Sequence, residues 1–343
     1  MSPAGADMLL KAVDLRKSFA GRNSGFGLAR SVTMAVDGVS LEIRRGETLC
    51  LVGESGCGKS TVSRMIARLI MPTSGAVILN GVDITRLSER QMRPHRRHVQ
   101  LVFQDPYASL NPRLTAGEII GEPLENFSPL SPAARRAKVM ELLRQVGLPD
   151  DAYGRLPFEF SGGQRQRLNI ARAIALDPGL VIADEPVSAL DVSVQAQVLN
   201  LMMDLQEERR LAYLFVSHDL AVVQHIGQRI AVMYAGRIVE TADTEALFDD
   251  PRHPYTQTLI AAAPVPAVGR ARPRLAPEAE APSLDAGAAG CAFYKRCASR
   301  MTRCRTEAPA LRSSSDGRLV ACHRADMPAA EGFGFRQDMG GGK

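Results

Sequence analysis

Apolar residues recur in two patterns that alternate along most of the chain. Continuous apolar runs at residues 48–52, 180–183 and 212–217 predict buried strands. Residues 9–15 and 34–43 alternate between apolar and polar positions, which predicts antiparallel strands. Amphipathic segments with helical spacing follow the buried runs. We therefore expect an α/β fold, with a parallel core sheet and a smaller antiparallel β subdomain.

A glycine-rich segment of the pattern G-x-x-x-x-G-K-S separates the first buried run from a predicted helix. That helix is predicted from apolar residues at helical spacing, namely Val62, Met65, Ile66, Leu69 and Ile70. A strand, a glycine turn and a helix in this order predict a loop that binds phosphate through backbone N–H groups. Lys59 is placed to reach the β- and γ-phosphates of a nucleotide, and the Ser60 hydroxyl to bind Mg²⁺. The expected nucleotide-binding residues of this loop are Gly53, Glu54, Ser55, Gly56, Cys57, Gly58, Lys59, Ser60 and Thr61.

Polar side chains stand at the ends of three later predicted strands. Gln104 follows the run 99–103, Asp184 and Glu185 follow the run 180–183, and His218 follows the run 212–217. Open α/β sheets bind ligands at the carboxyl ends of their strands, so we expect these side chains near the phosphates. Asp184 is suited to hold Mg²⁺, and Glu185 to deprotonate a water molecule. The alternative for Asp184 and Glu185 is a pair of solvated loop acids, and the alternative for His218 is a purely structural histidine.

A second helix start has the chemistry of an anion site. Ser161 is a good N-cap, and Gly162 and Gly163 leave backbone N–H groups open at the start of a basic helix. This site is separate in sequence from the glycine-rich loop. Phe19, at the end of the first predicted strand, is either a stacking platform for adenine or a core residue.

Composition fits a globular protein without a membrane span. Hydrophobic residues make up 45% of the 343 residues and charged residues 23%. No apolar run approaches the length of about 20 residues that a membrane span needs, and we expect no secretory signal. We also expect no nucleic-acid partner, because the net charge of +5 is mild for a protein that binds nucleic acid. We therefore expect a cytoplasmic protein, and docking on a membrane protein stays open at this point.

The C-terminal part contains four cysteines after a segment rich in proline and alanine. These are Cys291, Cys297, Cys304 and Cys322. In a reducing cytosol such a group favours metal binding over disulfides, and its spacing differs from that of a zinc ribbon. Four thiolates are the ligand set of an iron–sulfur cluster, and free structural thiols are the alternative. Residues 329–343 are glycine-rich, and we expect them to be disordered.

The motifs, taken in order over residues 8–260, resemble those of the ATP-binding subunit of an ABC transporter. The glycine-rich loop resembles its Walker A motif and residues 180–185 its Walker B motif. The other matches are Gln104 with the Q-loop, residues 160–164 with the signature motif (Phe160 standing where leucine is commoner), residues 188–191 with the D-loop and His218 with the switch histidine. Residues 103–113 and 253–256 are similar to the ATPases of peptide and nickel importers.

This resemblance implies a P-loop NTPase (RecA-like) core sheet, an antiparallel β subdomain and a helical insertion over about residues 115–175. A small cysteine-containing extension would follow in 261–328. In the family, ATP with Mg²⁺ lies between the phosphate loop of one subunit and residues 161–163 of a second, in a head-to-tail dimer. Glu185 would be the base, His218 and Gln104 would sense the γ-phosphate, and Phe19 would stack on adenine. Gln164 and Asp191 belong to the motifs that would line the nucleotide, and Gln104 joins Ser60 and Asp184 around Mg²⁺.

The resemblance also implies partners and a place in the cell. They are a second ABC ATPase subunit, identical or paralogous, two transmembrane permease subunits and, indirectly, a solute-binding protein. The subunit would lie on the cytoplasmic face of the inner membrane and drive uptake of peptides or a related small solute. Some peptide-importer ATPases carry a [4Fe–4S] cluster in the C-terminal extension. One alternative is a nickel- or glutathione-type importer subunit. The other is a soluble ABC-type ATPase that acts on nucleic acid or ribosomes. DNA-repair members of that class have a long coiled coil and translation-type members usually have two cassettes, and this sequence shows neither feature.

Overall fold

The computed structural model describes residues 7–20, 32–262, 284–285, 289–314 and 316–324. Its strands are β1 (Met8–Ala20), β2 (Val32–Arg44), β3 (Thr48–Val52), β4 (Ser74–Leu79), β5 (Val82–Asp83), β6 (Val99–Val102), β7 (Leu180–Asp184), β8 (Ala212–Ser217), β9 (Arg229–Tyr234), β10 (Arg237–Asp243), β11 (Leu284–Asp285), β12 (Arg312–Ser313) and β13 (Leu319–Val320). Its helices are α1 (Lys59–Ile66), α2 (Glu89–Arg96), α3 (Ala116–Phe127), α4 (Pro132–Gln145), α5 (Gly162–Ile174), α6 (Val192–Arg209), α7 (Leu220–Ile226), α8 (Thr244–Asp249), α9 (Pro254–Ala262) and α10 (Arg303–Thr306). Most of the predicted linker and all of residues 329–343 lie outside the described residues.

The larger sheet has a parallel centre and an antiparallel edge. Its strand order is β12-β13-β10-β9-β3-β8-β7-β6, and β9, β3, β8, β7 and β6 run parallel. The strands β3, β7 and β8 are buried at every residue, as expected for strands covered on both faces. The smaller sheet, β11-β2-β1-β4-β5, is antiparallel. The predicted α/β class is therefore confirmed.

Helix α1 packs between the two sheets. It contacts β1 and β2 on one side and β7 and β8 on the other. Val62, Met65 and Ile66 are fully buried, and they belong to the hydrophobic core that the sheets share. A second core lies between the larger sheet and helices that include α3, α5 and α6. The N-terminus of α1, and with it the glycine-rich loop, is fixed by burial on both sides.

The prediction that α1 continues through Leu69 and Ile70 is wrong. The helix ends at Ile66, and Leu69 is 50% exposed. Arg68 has a φ of 54°, a left-handed conformation that a helix cannot continue through. The Arg68 side chain turns inward and donates to the Ile84 and Leu87 carbonyl oxygens at 2.6 and 2.8 Å.

Strand β1 is longer than its alternation predicts. It continues to Ala20 because residues 16–20 pair with residues 32–37 of β2. This places Phe19 inside the strand pairing rather than in a loop after it. Asn80 and Gly81 both have positive φ angles and form the two-residue turn between β4 and β5, a turn that an Asn-Gly pair favours.

Residues 116–174 contain α3, α4 and α5 and no strand. Helix α4 begins as its sequence predicts, because the Ser131 hydroxyl accepts the Ala134 N–H at 3.3 Å and Pro132 is the first helical residue. Helix α6, which follows Asp191, runs to Arg209. In the described part of the chain no helix is both long enough and apolar enough to span a bilayer.

The C-terminal segment is packed onto the larger sheet. Strand β13 pairs with β10, with Val320 opposite Glu240. Glu240 is fully buried, and its two carboxylate oxygens accept the Arg252 and His253 N–H groups, each at 2.9 Å. Burial raises the pKa of the Glu240 carboxyl, and these backbone donors oppose that rise. One side chain thus fixes the turn that leads into α9.

We expect Glu240→Ala to lower the free energy of unfolding by about 2–5 kcal/mol, because two buried backbone donors lose their acceptor. Chemical denaturation measures this change. Glu207→Ala, at an exposed position on α6, is the matched control and should change stability by less than about 0.5 kcal/mol. Equal effects of the two substitutions would contradict the structural role of Glu240.

Candidate active site

The glycine-rich loop connects β3 to α1 and fits tightly against two neighbouring strands. Gly58 has a φ of 108°, and a Cβ atom there would lie 2.3 Å from the Ala35 carbonyl oxygen of β2. At Gly53 a Cβ atom would lie 2.2 Å from the Met233 carbonyl oxygen of β9. Only glycine fits at either position, because a side chain would collide with a neighbouring strand. The glycines thus allow the backbone to curl tightly between β3 and α1.

Lys59 points its ammonium group into this curl. Its side chain is 5% exposed, and Nζ donates to the Gly53 and Glu54 carbonyl oxygens at 2.7 and 2.9 Å. A phosphate group competes well for such a cation, because a charged acceptor binds an ammonium group more strongly than a carbonyl does. The loop therefore has the donor and the space that an anion needs.

An oxygen pair suited to Mg²⁺ lies at the start of α1. The Ser60 hydroxyl donates to Asp184 Oδ1 at 3.1 Å, at the carboxyl end of β7. Burial raises the pKa of the Asp184 carboxyl, and the Ser60 hydrogen bond opposes the rise. A hydroxyl and a carboxylate are ligands that Mg²⁺ prefers, so these two residues fit the metal.

The Glu185 carboxylate is held by side chains from two other strand ends. Gln104 Nε2, beyond β6, donates to Glu185 Oε2 at 2.9 Å. His218 Nδ1, beyond β8, lies 3.1 Å from Glu185 Oε1. The Glu185 backbone has a φ of 50°, and its N–H donates to the Val216 carbonyl oxygen at 2.9 Å. A carboxylate fixed in this way can orient a water molecule and accept its proton.

The structure places the catalytic candidates together as predicted. Asp184 is 7% exposed and the Glu185 side chain 15%, which excludes the alternative of solvated loop acids. His218 makes a specific contact with Glu185, although its own side chain is 57% exposed. Parallel strands explain the convergence, because their carboxyl ends lie at one edge of the sheet.

The second predicted anion site is built at the start of α5. The Ser161 hydroxyl accepts the Gln164 N–H at 3.4 Å, and the Gln164 side chain accepts the Ser161 N–H at 3.0 Å. A Cβ atom on Gly163 would lie 2.4 Å from Val194 Cγ1, so this glycine lets α5 approach α6 closely. Asp191 precedes α6 and is exposed. Within the described residues, no hydrogen bond joins Ser161, Gln164 or Asp191 to the glycine-rich loop.

Phe19 is 44% exposed at the end of β1, and the Lys17 ammonium lies 5.2 Å from its ring centroid. The exposed ring is inconsistent with the alternative of a core phenylalanine and leaves a face available for stacking.

Cys57 is buried within the loop, and burial raises the pKa of its thiol. A buried, protonated thiol packs as a small apolar side chain, which fits its position in the loop.

Sequence reasoning missed two side chains that touch the loop. Tyr255 Oη accepts the Glu54 N–H at 2.9 Å, and Arg296 donates to both Glu54 carboxylate oxygens at 2.8 Å. Tyr255 lies in the segment 253–256, which resembles importer ATPases, and Arg296 directly precedes Cys297. Neither position carries a local pattern that indicates a contact with residue 54.

The strand–loop–helix with a buried lysine, the Ser60–Asp184 pair and the fixed Glu185 carboxylate together define a nucleotide-hydrolysing P-loop protein. Comparison with protein families narrows this class. Residues 36–188 match the family model described as "ABC transporter". Residues 239–304 match the model described as "Oligopeptide/dipeptide transporter, C-terminal region".

Curated relatives match over nearly the whole chain. A probable peptide ABC transporter ATP-binding protein, y4tS of Sinorhizobium fredii, is 56% identical over 95% of this chain and 92% of its own length. The oligopeptide transport ATP-binding protein AppF of Bacillus subtilis is 48% identical over 94% and 99% of the two chains. The dipeptide transport ATP-binding protein DppF of Escherichia coli is 48% identical over 93% and 95%.

Solved structures match the cassette. The ATP-binding cassette MJ0796 has a TM-score of 0.61 at 30% identity, covering 69% of this chain and 99% of that one. It was solved as a dimer in a post-hydrolysis state with ADP and Pi. The chain belongs to the family of ABC transporter ATP-binding subunits of the oligopeptide/dipeptide type. It is an ATPase, and ATP is its substrate.

We expect Lys59→Ala to lower the affinity for ATP by at least about tenfold, because the loop loses its one buried cation for the phosphates. Equilibrium titration with a fluorescent ATP analogue and Mg²⁺ measures the change. Lys138→Ala, which removes an ammonium paired with Glu141 on α4, is the control and should leave affinity unchanged. Unchanged affinity in Lys59→Ala would contradict the assignment of the loop.

Proposed function

We propose that the chain is the motor subunit of an importer that takes up peptides or a related small solute. The observation that carries this proposal is that one chain has two helix starts suited to an anion, α1 at Lys59 and α5 after Ser161, with no hydrogen bond between them among the described residues. Two copies facing head to tail bring the loop of one against the Ser161 helix of the other, and ATP joins them. The relatives described above are named as ATP-binding proteins of peptide, oligopeptide and dipeptide transport, which favours peptides over the solutes of a nickel- or glutathione-type importer.

Each site residue has a role that follows from its contacts. Lys59 and the backbone of residues 53–61 bind the phosphates, and Phe19 stacks on adenine. Ser60 and Asp184, together with Gln104, would hold Mg²⁺, which would neutralise charge on the phosphates.

Glu185 takes the proton of the attacking water, and its contacts with Gln104 and His218 keep the carboxylate aimed. His218 and Gln104 also sense the γ-phosphate. From the opposite copy, Ser161, Gly162, Gly163 and Gln164 close over the γ-phosphate, and Asp191 lies at the contact between copies.

We propose that the surface for the membrane partners is formed by the segment after Gln104 and by the helical insertion, residues 115–175. Phe103, Tyr107 and Phe158 are 39%, 67% and 68% exposed there. The Arg165 guanidinium lies 3.7 Å from the Tyr107 ring centroid, so this ring is held at the surface. Large exposed apolar side chains are typical of a docking surface. We propose that it receives the two transmembrane permeases, on the cytoplasmic face of the membrane, with a solute-binding protein acting indirectly.

We expect Glu185→Gln to retain ATP binding and to lower ATP turnover by about 10²–10⁴, the usual contribution of a general base. A phosphate-release assay on the purified chain, together with its paralogous mate if it has one, measures turnover. Wild-type turnover in this variant would disprove the role of Glu185.

The same assay tests the shared pocket. Ser161→Glu should reduce turnover strongly while leaving the ATP affinity of the separate chain intact, because the added carboxylate faces the γ-phosphate only across the dimer. Ser313→Glu, at an exposed position of β12, is the control for added charge. Full turnover in Ser161→Glu would contradict the head-to-tail dimer.

We further propose that residues 8–260 form the ATPase domain and that the extension 261–328 holds a [4Fe–4S] cluster. Cys291, Cys297, Cys304 and Cys322 carry free thiols and line one pocket. The pKa of the Cys322 thiol is raised to about 11, mainly by burial and in part by the charges of Cys291, Cys297 and Cys304. Among the described residues no group of three or more Cys, His, Asp or Glu is arranged to hold a single metal ion. Four thiols around one space fit a cluster in which each iron takes its own thiolate.

We expect the anaerobically purified chain to contain about four iron atoms and to absorb broadly in the visible range. Cys297→Ser should lower the iron content, whereas Ser299→Ala, which changes a side chain lining the same pocket, should not. Iron analysis and the absorption spectrum are the measurements. A colourless, iron-free protein prepared in this way would leave the four cysteines as structural thiols.

A further inference from the structure

Glu54, the second residue of the phosphate loop, has a partner for each of its polar groups. Its backbone N–H donates to Tyr255 Oη, and its carbonyl oxygen accepts Lys59 Nζ, both at 2.9 Å. Its carboxylate oxygens accept Arg296 Nη1 and Nη2, each at 2.8 Å. Two of these three partners come from beyond residue 250. The C-terminal part of the chain therefore holds one residue of the loop at two points.

Arg296 is itself fixed from several sides. Its guanidinium lies 5.8 Å from the ring centroid of Tyr234 and 5.7 Å from that of Phe293. Its backbone N–H donates to the Phe293 carbonyl oxygen at 3.0 Å, within the turn that leads to Cys297. Tyr234, Tyr255 and Phe293 pack on one another with ring centroids 4.5 to 5.5 Å apart. The guanidinium thus has a rigid aromatic support.

The bidentate geometry also neutralises a charge. Glu54 carries a carboxylate in a loop that receives a triphosphate, and like charges repel. The Glu54 side chain is 32% exposed and that of Arg296 27%, so water screens the pair only in part. The parallel N–H···O bonds of an arginine fork fix orientation as well as charge. Loss of Arg296 leaves the carboxylate unpaired beside the phosphate site and leaves the loop held by Tyr255 alone from this side.

We propose that Arg296 is a positioning residue of the nucleotide site, through which the cysteine-containing extension presets the phosphate loop for ATP. The proposal deepens the function given above and rests on the loop being the ATP site. Arg296 acts through Glu54, with no contact to the nucleotide required. The extension is therefore a part of the ATP-binding apparatus and not only a separate appendage.

The test is ATP binding and turnover in Arg296→Ala. We expect the Kd for a fluorescent ATP analogue with Mg²⁺, and the KM for ATP, to rise about three- to tenfold, the range for a partly exposed bidentate pair. The kcat at saturating ATP should stay within about twofold, because Glu185 and its partners are untouched. Arg303→Ala is the matched control, since Arg303 also forms a bidentate pair in the same extension, through Nε and Nη2 to Glu307, both at 2.7 Å. It should leave Kd and KM unchanged.

A second substitution separates charge neutralisation from a general loss of structure. In the Arg296→Ala background, Glu54→Gln removes the unpaired carboxylate and should restore the Kd to within about twofold of that of Glu54→Gln alone. If Arg296→Ala does not fold, the cycle is run with Arg296→Gln, which keeps the length of the side chain. A wild-type Kd in Arg296→Ala, or no recovery in the double variant, would overturn the proposal. Lys59→Ala separates a failure of this proposal from a failure of the assigned ATP site. If Lys59→Ala lowers the affinity for ATP and Arg296→Ala does not, only the role of Arg296 is wrong. If neither substitution changes the affinity, the loop is not the ATP site.

Discussion

The parallel pairing of β3, β8, β7 and β6 is the constraint on which the active site depends. It sets the carboxyl ends of these strands side by side, with Val52 opposite Ser217, Val216 opposite Asp184 and Ala183 opposite Val102. The residues that follow each strand therefore meet, although they lie as far apart in sequence as Ser60 and His218. The short hydrogen bonds from Ser60 to Asp184 and from Gln104 to Glu185 are consequences of this register. Burial of α1 between both sheets then fixes the loop against that edge.

The C-terminal extension shares the core of the cassette. Strand β13 extends the catalytic sheet through β10, and Phe293 packs into the aromatic group beneath the phosphate loop. The same short segment carries Cys291, Cys297 and Arg296, so the cysteine pocket and the loop contact are a few residues apart. The turn from Phe293 to Cys297 and the Arg296 fork connect the pocket directly to Glu54 of the loop. The two matching family models, 36–188 and 239–304, thus describe parts that are physically joined.

Much of this arrangement was predictable from local pattern. Short apolar runs fixed the buried strands, and each catalytic candidate stood directly after one of them, so the parallel-sheet rule was sufficient to bring Gln104, Glu185 and His218 together. The end of α1 was not predictable, because Leu69 keeps the apolar spacing while Arg68 turns inward to bond with two carbonyl oxygens. The contact of Arg296 with Glu54 was also missed. It joins residues 242 positions apart, and periodicity contains no information on which surfaces pack together.

Glu185 occupies a backbone conformation that glycine adopts freely and a glutamate resists. Its φ of 50° lies in the left-handed region, which disfavours a side-chain-bearing residue by about 1–2 kcal/mol. The hydrogen bond of its N–H to Val216 keeps it there. A disfavoured backbone conformation is thus tolerated at the one place where the Glu185 carboxylate meets both Gln104 and His218.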